Sequence, residues 1–247
     1  MTTHSDLTAG LTLFTGRFGS GKSEAAISFA LELSRSVPGV MLIDLDIVTP
    51  YFRSRETQEK LAARGVAVIA PMAIGQHLDT PAITPQILGA IEQVEAPTVL
   101  DVGGDRQGAR ALGQFSHAIA RRGYAMHFVV NPYRPFTGSL QALRQSIAEI
   151  EASARLKVTS LVSNPNLMDE TTEEQILSGH AQVERFAEEM RLPVAMICLT
   201  RRWQERLGAN GFAQPALLLD RFLTHPWEPS PEAHAGGPGG QLEEKTP

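Results

Sequence analysis

The sequence of 247 residues has a single cysteine and no long apolar run. That cysteine, Cys198, excludes an internal disulfide and a Cys-x-x-Cys metal site. It lies in the run VAMICLT, which favours a buried structural thiol. No stretch approaches the roughly 18 apolar residues of a membrane span. The N-terminal MTTHSDLTAG lacks the basic and apolar segments of a signal peptide. We therefore expect a cytoplasmic protein without a membrane helix.

Positive charge is also scarce. The chain has 22 Lys and Arg against 27 Asp and Glu, for a net charge of −5. This balance argues against a general nucleic-acid binder. With 43% hydrophobic residues, the chain is long enough for one large α/β domain. From Pro226 onward, PWEPSPEAHAGGPGGQLEEKTP is rich in Pro, Gly and Glu. We expect a single domain over residues 1–225 and a disordered tail over residues 226–247.

Apolar runs with β-character alternate along the chain with helical patterns. The predicted strands are Leu11–Thr15, Val40–Leu45, Val66–Ala70, Thr98–Val102, Ala125–Val130, Val158–Ser163 and Val194–Leu199. Thr84-Pro85 predicts one helix start, and Thr171 with Glu174 predicts a capping box for a helix to about Met190. The alternation predicts a doubly wound α/β fold, with a mostly parallel sheet of about seven strands and helices on both faces. Ligands of such sheets bind at the carboxyl ends of the strands.

The segment TGRFGSGKSE contains a phosphate-binding pattern, because Gly16–Ser23 matches G-x-x-x-x-G-K-[ST]. The glycines let successive backbone N–H groups converge on phosphate oxygens. Lys22 then reaches the β- and γ-phosphates, and the Ser23 hydroxyl is suited to bind Mg²⁺. A strand-like run precedes the loop and a helical pattern follows it, as a P-loop requires. The predicted nucleotide contacts are Gly16, Arg17, Phe18, Gly19, Ser20, Gly21, Lys22 and Ser23.

Acidic residues end two of the predicted strands. Asp44 and Asp46 close VMLIDLD, where two carboxylates are costly unless a cation or water site needs them. In TVLDVGGD, Asp101 lies near the end of the predicted strand, and Gly104 follows three residues later, in the pattern hhhhDxxG. Such an acid behind a P-loop is typical of the Mg²⁺ site of a nucleotide-hydrolysing protein.

Taken in order, GRFGSGKS, DLD and DVGG resemble the MinD/ParA branch of the SIMIBI class of P-loop ATPases, over roughly residues 10 to 200. The resemblance implies ATP and Mg²⁺ as cofactors. It implies that Asp46 orients the attacking water, that Asp101 supports the Mg²⁺ shell together with Ser23 and Asp46, and that Gly104 hinges a switch segment. Asn164 in VSNPNL matches a family asparagine that binds the adenine edge, although a turn residue before a proline is the alternative.

The family also carries a lysine after the first glycine of the loop, which crosses to the nucleotide of a partner subunit. Arg17 occupies that position here and keeps the charge and the reach, with a planar fork. The resemblance therefore implies catalytic roles for Lys22, Asp46 and Arg17, and a nucleotide-dependent homodimer regulated by a protein partner. Arg134 is either near phosphate or a surface arginine. The segment after the last strand, with Arg201, Arg202 and Trp203, is expected in a surface turn unless it closes over the adenine or touches a partner.

Three functions remain open from the sequence. The first is an ATPase that switches state on binding ATP and is slow without its partner. The second is a carboxylate-activating ligase similar to dethiobiotin synthetase or CobQ, in which Arg53 or Arg55 clamps the acceptor. The third is a nucleotide-sensing adaptor that does not hydrolyse ATP. GTP is disfavoured because SNPN lacks the Lys and Asp of N-K-x-D. ALLLDRFLTH is too short and too neutral for a membrane-targeting helix.

Overall fold

The computed structural model of the protein describes residues 10–46, 55–70, 85–207, 211–220 and 222. The strands in these residues are β1 Leu11–Thr15, β2 Val40–Leu45, β3 Val66–Ile69, β4 Thr98–Val102, β5 Tyr124–Val130, β6 Ser160–Ser163, β7 Val194–Thr200 and β8 Ala216–Leu219. The helices are α1 Lys22–Ser34, α2 Arg55–Ala62, α3 Pro85–Glu92, α4 Arg106–Gly113, α5 Ser116–Arg122, α6 Leu140–Ala154, α7 Glu173–Met190 and α8 Arg201–Leu207. A 3₁₀ turn, Met168–Glu170, precedes α7.

The described strands form one parallel sheet in the order β3-β2-β4-β1-β5-β6-β7-β8. The register places Phe14 of β1 beside Asp101 of β4 on one side and His127 of β5 on the other. Because the strands run in one direction, their carboxyl ends meet at one edge of the sheet. The loop after β1 is therefore flanked by the residues that follow β4 and β5.

Helices cover both faces of this sheet. Leu13 faces a core layer that includes Leu112 of α4 and Ile147 of α6. The next residue, Phe14, faces the opposite layer and packs with Ile27 of α1. Both faces are buried, so the strands read as nearly continuous apolar runs. This arrangement confirms the predicted fold class. None of the described helices is long and apolar enough to cross a membrane.

The sheet has one strand more than the sequence analysis predicts. β8, Ala216–Leu219, pairs in parallel with β7 at the edge of the sheet. Four apolar residues without a period are too short to distinguish a strand from part of a helix. The other strand bounds differ from the predicted ones by two residues or fewer. The proposed tail, residues 226–247, lies outside the described residues, as does Thr84.

The capping box of α7 is one residue later than predicted. Thr172 is the N-cap, its hydroxyl accepting from the Gln175 amide, while the Gln175 side chain accepts from the Thr172 backbone N–H. Thr171 instead donates to the carbonyl of Met168. The sequence satisfies the capping pattern twice, one residue apart, and local chemistry alone does not choose between the two registers.

Candidate nucleotide-binding site

The predicted phosphate-binding loop connects β1 to α1. β1 ends at Thr15, and α1 begins at Lys22 with Gly21 as its N-cap. Ser20, Lys22 and Ser23 are buried, whereas Phe18 is 73% exposed. The backbone N–H groups at the start of α1 have no intrahelical acceptors and favour an anion. The loop therefore has the connection and the environment that the sequence pattern requires.

Lys22 forms an ion pair with Asp46 at the carboxyl end of β2. The Lys22 Nζ and Asp46 Oδ2 atoms are 2.6 Å apart, and the side chains are only 8% and 3% exposed. The Asp46 backbone N–H donates to Asp44 Oδ1 at 2.8 Å. Three predicted site residues thus meet at one point. A bound phosphate would compete with Asp46 for the lysine, since both are anions.

Asp101 ends β4 in an environment that opposes its charge. It is fully buried, and neither carboxylate oxygen accepts a hydrogen bond from any residue that the structure describes. Burial raises the pKa of Asp101 to about 6, the charge of Lys22 and the nearby Ser23 hydroxyl act in the opposite direction, and Asp46 adds to the rise. A buried carboxylate without partners is costly unless a cation completes its surroundings.

These residues fit a magnesium ion that also binds phosphate. Asp101 offers two buried oxygens without hydrogen-bond partners among the described residues. Ser23 at the start of α1 and Asp46 directly after β2 are also buried, and both act on the Asp101 carboxyl. Among the described residues, no three His, Cys, Asp or Glu side chains form a ligand cluster. Mg²⁺ is commonly bound through one or two carboxylates together with substrate phosphates and water. The donor set therefore suits Mg²⁺ carried with a nucleotide.

Gly104 lies where the segment after β4 meets the phosphate loop. A side chain at this position would bring its Cβ to 1.9 Å from the carbonyl oxygen of Gly16, so only glycine permits the contact. Asp105 then caps α4 by accepting from the amides of Gln107 and Gly108. The predicted switch segment is thus in direct contact with the P-loop, and its hinge role stays a prediction.

Asn164 follows β6 and braces the phosphate loop. Its Nδ2 donates to the Ser20 carbonyl at 2.7 Å, and the residue is 3% exposed. Its Oδ1 is buried and has no hydrogen-bond partner among the described residues. One of the two amide hydrogens is therefore used by the loop, while the acceptor remains available.

A cavity of about 810 Å³ opens over the P-loop. Its polar end includes Lys22 and Ser23, and its apolar end includes Cys198 and Trp203. The prediction of a surface turn around Trp203 is wrong, because Trp203 lies on α8 and is 7% exposed. Burial raises the pKa of the Cys198 thiol well above its ordinary value, as expected of a structural cysteine.

Arg17 is held by its own chain. Its Nε donates to Ser146 Oγ at 2.9 Å, another guanidinium nitrogen pairs with Glu149, and its charge lies 5.6 Å from the centre of the Phe136 ring. Ser146 and Glu149 belong to α6. Arg17 is not among the described residues that line the cavity. A reach to a second subunit would have to break these contacts, and that role stays a prediction.

Other arginines that the sequence analysis raises have different positions. Arg134 lines the cavity beside the P-loop. Arg201 is exposed and lies 3.7 Å from Asp220. Arg202 stacks on the Trp203 ring at 5.0 Å. Arg53 lies outside the described residues, and Arg55 begins α2.

Asn131 is a cavity residue that the sequence analysis missed. It directly follows β5, is 2% exposed, and donates to the carbonyl of Asn166 at 2.7 Å. Its Oδ1 accepts from the Tyr133 amide at 3.1 Å. The available signal was a polar residue at the carboxyl end of a buried strand, the same signal that identifies Asp101 and Asn164.

Solved structures share this fold. Chloroplast FtsY from Physcomitrella patens aligns at 17% identity with a TM-score of 0.51, covering 76% of this chain and 58% of that one. The cell division protein FtsY from Thermotoga maritima aligns at 18% identity and 0.51, covering 81% and 66%. The chain thus spans less than two thirds of these FtsY chains. At such identities the likeness establishes a P-loop nucleotide-binding fold and nothing finer.

A nucleotide-binding protein from Archaeoglobus fulgidus, solved in complex with ADP, aligns at 14% identity, covering 77% of this chain and 81% of that one. Its TM-score of 0.46 is too low to support an argument. No protein-family model and no curated protein matches the sequence. The comparisons therefore do not distinguish the MinD/ParA branch from other P-loop proteins of this fold.

Proposed function

We propose that the chain is a magnesium-dependent ATPase, similar to the MinD/ParA proteins, that changes conformation or assembly state when it binds ATP. The observation that carries the proposal is the buried Asp101 carboxylate, whose oxygens have no hydrogen-bond partner among the described residues, beside a P-loop lysine. A fold without a ligand gains nothing from that arrangement, whereas a bound nucleotide with its cation would compensate it. Ser23, Asp46 and Asp101 would hold the cation. When bound, Mg²⁺ supplies positive charge to the phosphate oxygens.

The residues of the chain have separable tasks in this proposal. Lys22 exchanges its pairing with Asp46 for the β- and γ-phosphates. Asp46, released from the lysine, orients the water that attacks the γ-phosphate and accepts a hydrogen bond from it. Gly104, already against Gly16, is placed to follow the γ-phosphate when the switch segment moves.

We infer a preference for ATP over GTP from Asn164. One Nδ2 hydrogen is donated to Ser20, and the buried Oδ1 is the acceptor without a partner among the described residues, so we assign Oδ1 to the base. Adenine presents an amino group at its 6-position, whereas guanine presents a carbonyl oxygen there. An acceptor facing the guanine oxygen would leave two buried acceptors without a donor, which costs about 1–3 kcal/mol.

Calorimetry with MgATP and MgGTP tests both steps. We expect the wild-type chain to bind MgATP more tightly than MgGTP, and Lys22→Ala to lose measurable binding of both. Lys157→Ala is the matched control, because Lys157 is 81% exposed and pairs with Glu151 outside the cavity. Unchanged affinity in Lys22→Ala would overturn the P-loop assignment. Equal affinities for the two nucleotides would remove the base-selecting role of Asn164.

Turnover distinguishes the switch from the two alternative functions. A switch ATPase releases phosphate without an added acceptor, and light scattering should detect a homodimer with MgATP. Phosphate release that requires a carboxylate acceptor would favour the ligase. Tight ATP binding with no turnover, with or without a protein partner, would favour the adaptor.

A further inference from the structure

We propose that Arg134 is the second cation of the phosphate site and binds the polyphosphate of the nucleotide within its own chain, while Arg17 anchors the P-loop to α6. This inference rests on the proposed function, because it assigns a ligand to the same cavity. In the MinD/ParA resemblance, the residue after the first glycine of the loop supplies a positive charge to a nucleotide. Here we assign that charge to Arg134, and we assign Arg17 a structural role.

The Arg134 side chain lies against the phosphate loop. A Cβ added to Gly19 would be 3.3 Å from Arg134 Nε and 3.6 Å from Cζ, so the guanidinium covers the open face of this glycine. Gly19 has a φ of +74°, which a residue with a side chain rarely adopts. The loop therefore leaves room for the arginine at the position where its backbone lines the cavity.

The backbone around Arg134 is well ordered by local hydrogen bonds. The Arg134 amide donates to the Asn131 carbonyl at 3.1 Å, and the Arg134 carbonyl accepts from the Thr137 amide at 3.0 Å. The buried Thr137 hydroxyl also donates to the Asn131 carbonyl at 2.6 Å. The turn after β5 thus fixes the position of the Arg134 backbone, from which the side chain extends to the P-loop. Such preorganisation reduces the entropy lost when a ligand binds.

The charge of Arg134 is not balanced by the protein. Its Nε is buried without a hydrogen-bond partner, and its guanidinium pairs with no acidic side chain that the structure describes. Arg17 differs, because Glu149 and Ser146 already occupy its guanidinium. A guanidinium without an acidic partner among the described residues, in the cavity that Lys22 also lines, is a strong site for phosphate oxygens. Its planar fork can donate two hydrogen bonds to them.

The experiment compares three arginine variants by calorimetry with ATP, ADP and AMP in the presence of Mg²⁺. Arg134→Gln should weaken ATP and ADP binding by about tenfold or more and change AMP binding much less, since a polyphosphate contact is lost. Arg134→Lys, which keeps the charge, should recover part of the affinity. Arg17→Gln should stay within about twofold in affinity and lose thermal stability instead, because its contacts join the loop to α6.

Arg144→Gln is the control, because Arg144 is 52% exposed and contacts Glu189 on α7. Thermal unfolding of each variant verifies that it is folded. If the wild type binds ATP but Arg134→Gln binds it equally well, the inference is wrong. A loss confined to Arg17→Gln would also overturn it, and would return the cation role to Arg17. A wild type that binds none of the three nucleotides would overturn the proposed function first, and the inference with it.

Discussion

Buried polar groups at the amino ends of the strands and at their carboxyl ends differ in how completely they are hydrogen-bonded. At the amino ends of β1 and β4, the Arg122 guanidinium donates five hydrogen bonds of 2.7 to 3.3 Å. The acceptors are the carbonyls of Gly10, Ala90, Ile91 and Ala96 and the Thr98 hydroxyl. At the carboxyl ends, Asp101, Asn164 and Arg134 each have buried atoms without partners among the described residues.

This difference distinguishes polar groups that stabilise the fold from polar groups that are available to a ligand. Buried polar groups are normally hydrogen-bonded, so a group without a partner needs a reason. At the amino edge most of these polar atoms satisfy each other and hold helix and strand ends together, although Arg122 Nε is itself buried without a partner among the described residues. At the carboxyl edge Asn164 and Arg134 line the cavity, and Asp101 interacts with Lys22, which lines it too. This arrangement is expected if a ligand completes the atoms without partners. The predictions below test whether disrupting the two edges gives different kinds of effect.

The largest expected effect is on catalysis. Asp46→Asn should lower the rate of ATP hydrolysis by about 10²–10⁴-fold, since the residue no longer orients water. Binding of MgATP should be kept, because Lys22 loses its competing partner while Ser23 and Asp101 still hold the cation. Single-turnover phosphate release and calorimetry measure the two quantities. Asp220→Asn, at an exposed position after β8, is the control. Turnover that survives in Asp46→Asn would favour the carboxylate-activating alternative.

At the amino edge we expect a loss of stability without a loss of function. Arg122→Ala leaves several buried carbonyls without donors and should lower the free energy of unfolding by about 4 kcal/mol. Urea denaturation measures this loss, and ATP affinity should not change. The adjacent Arg121→Ala removes only an exposed contact with Glu92 and should cost less than about 0.5 kcal/mol. Equal losses of stability in the two variants would contradict the stabilising role of the Arg122 hydrogen bonds.

His127 tests whether every buried atom without a partner marks a ligand. Its Nδ1 contacts Ser160, whereas its Nε2 is buried without a partner among the described residues, beside the Phe14 ring. Burial lowers the pKa of His127 to about 4. As the pH falls, the unfolded chain binds this proton first, so stability present above pH ~6.5 is lost as the pH falls through about 4. The total loss is about 3 kcal/mol.

Denaturation curves of His127→Phe against pH measure this contribution. The variant should lose less stability than the wild type as the pH falls from 6.5 to 4, and its ATP affinity should not change. Two other groups contribute in both proteins: the lowered pKa of His180 adds to the loss, and the raised pKa of Asp101 opposes it. His117→Gln, at an exposed position, controls for the loss of a histidine. A wild-type slope in His127→Phe would show that another group carries the acid sensitivity.

The smallest expected effect has the opposite sign. Without nucleotide and metal, Asp101→Asn should raise the free energy of unfolding at neutral pH by about 1–2 kcal/mol, because a buried charge without partners is removed. The magnesium-dependent part of the ATP affinity should fall. Denaturation with a chelator and calorimetry at varied Mg²⁺ concentration measure the two effects. A destabilised variant would mean that Asp101 is satisfied by the protein itself.

Much of the site could be predicted because its signals are local. The P-loop from Gly16 to Ser23 and the acids after β2 and β4 are each recognised within a few residues of a strand end. Asn131 carried the same signal and was missed, because it has no distinctive motif. Strand β8 and the cap of α7 could not be predicted from local sequence either. Strand β8 is only four residues long, and the capping pattern of α7 fits two positions equally well.

The sequence by itself determined seven of the eight described strands and most of the polar residues at their ends, since hydrophobic period, glycine and capping chemistry act over a few residues. The tertiary structure alone decided the partners. Arg17 and Glu149 are 132 positions apart, and Asn164 and Ser20 are 144 apart. These contacts depend on β1 lying between β4 and β5, an order that long-range sheet pairing sets. That order directs Arg17 toward α6 and brings Arg134 to the phosphate loop.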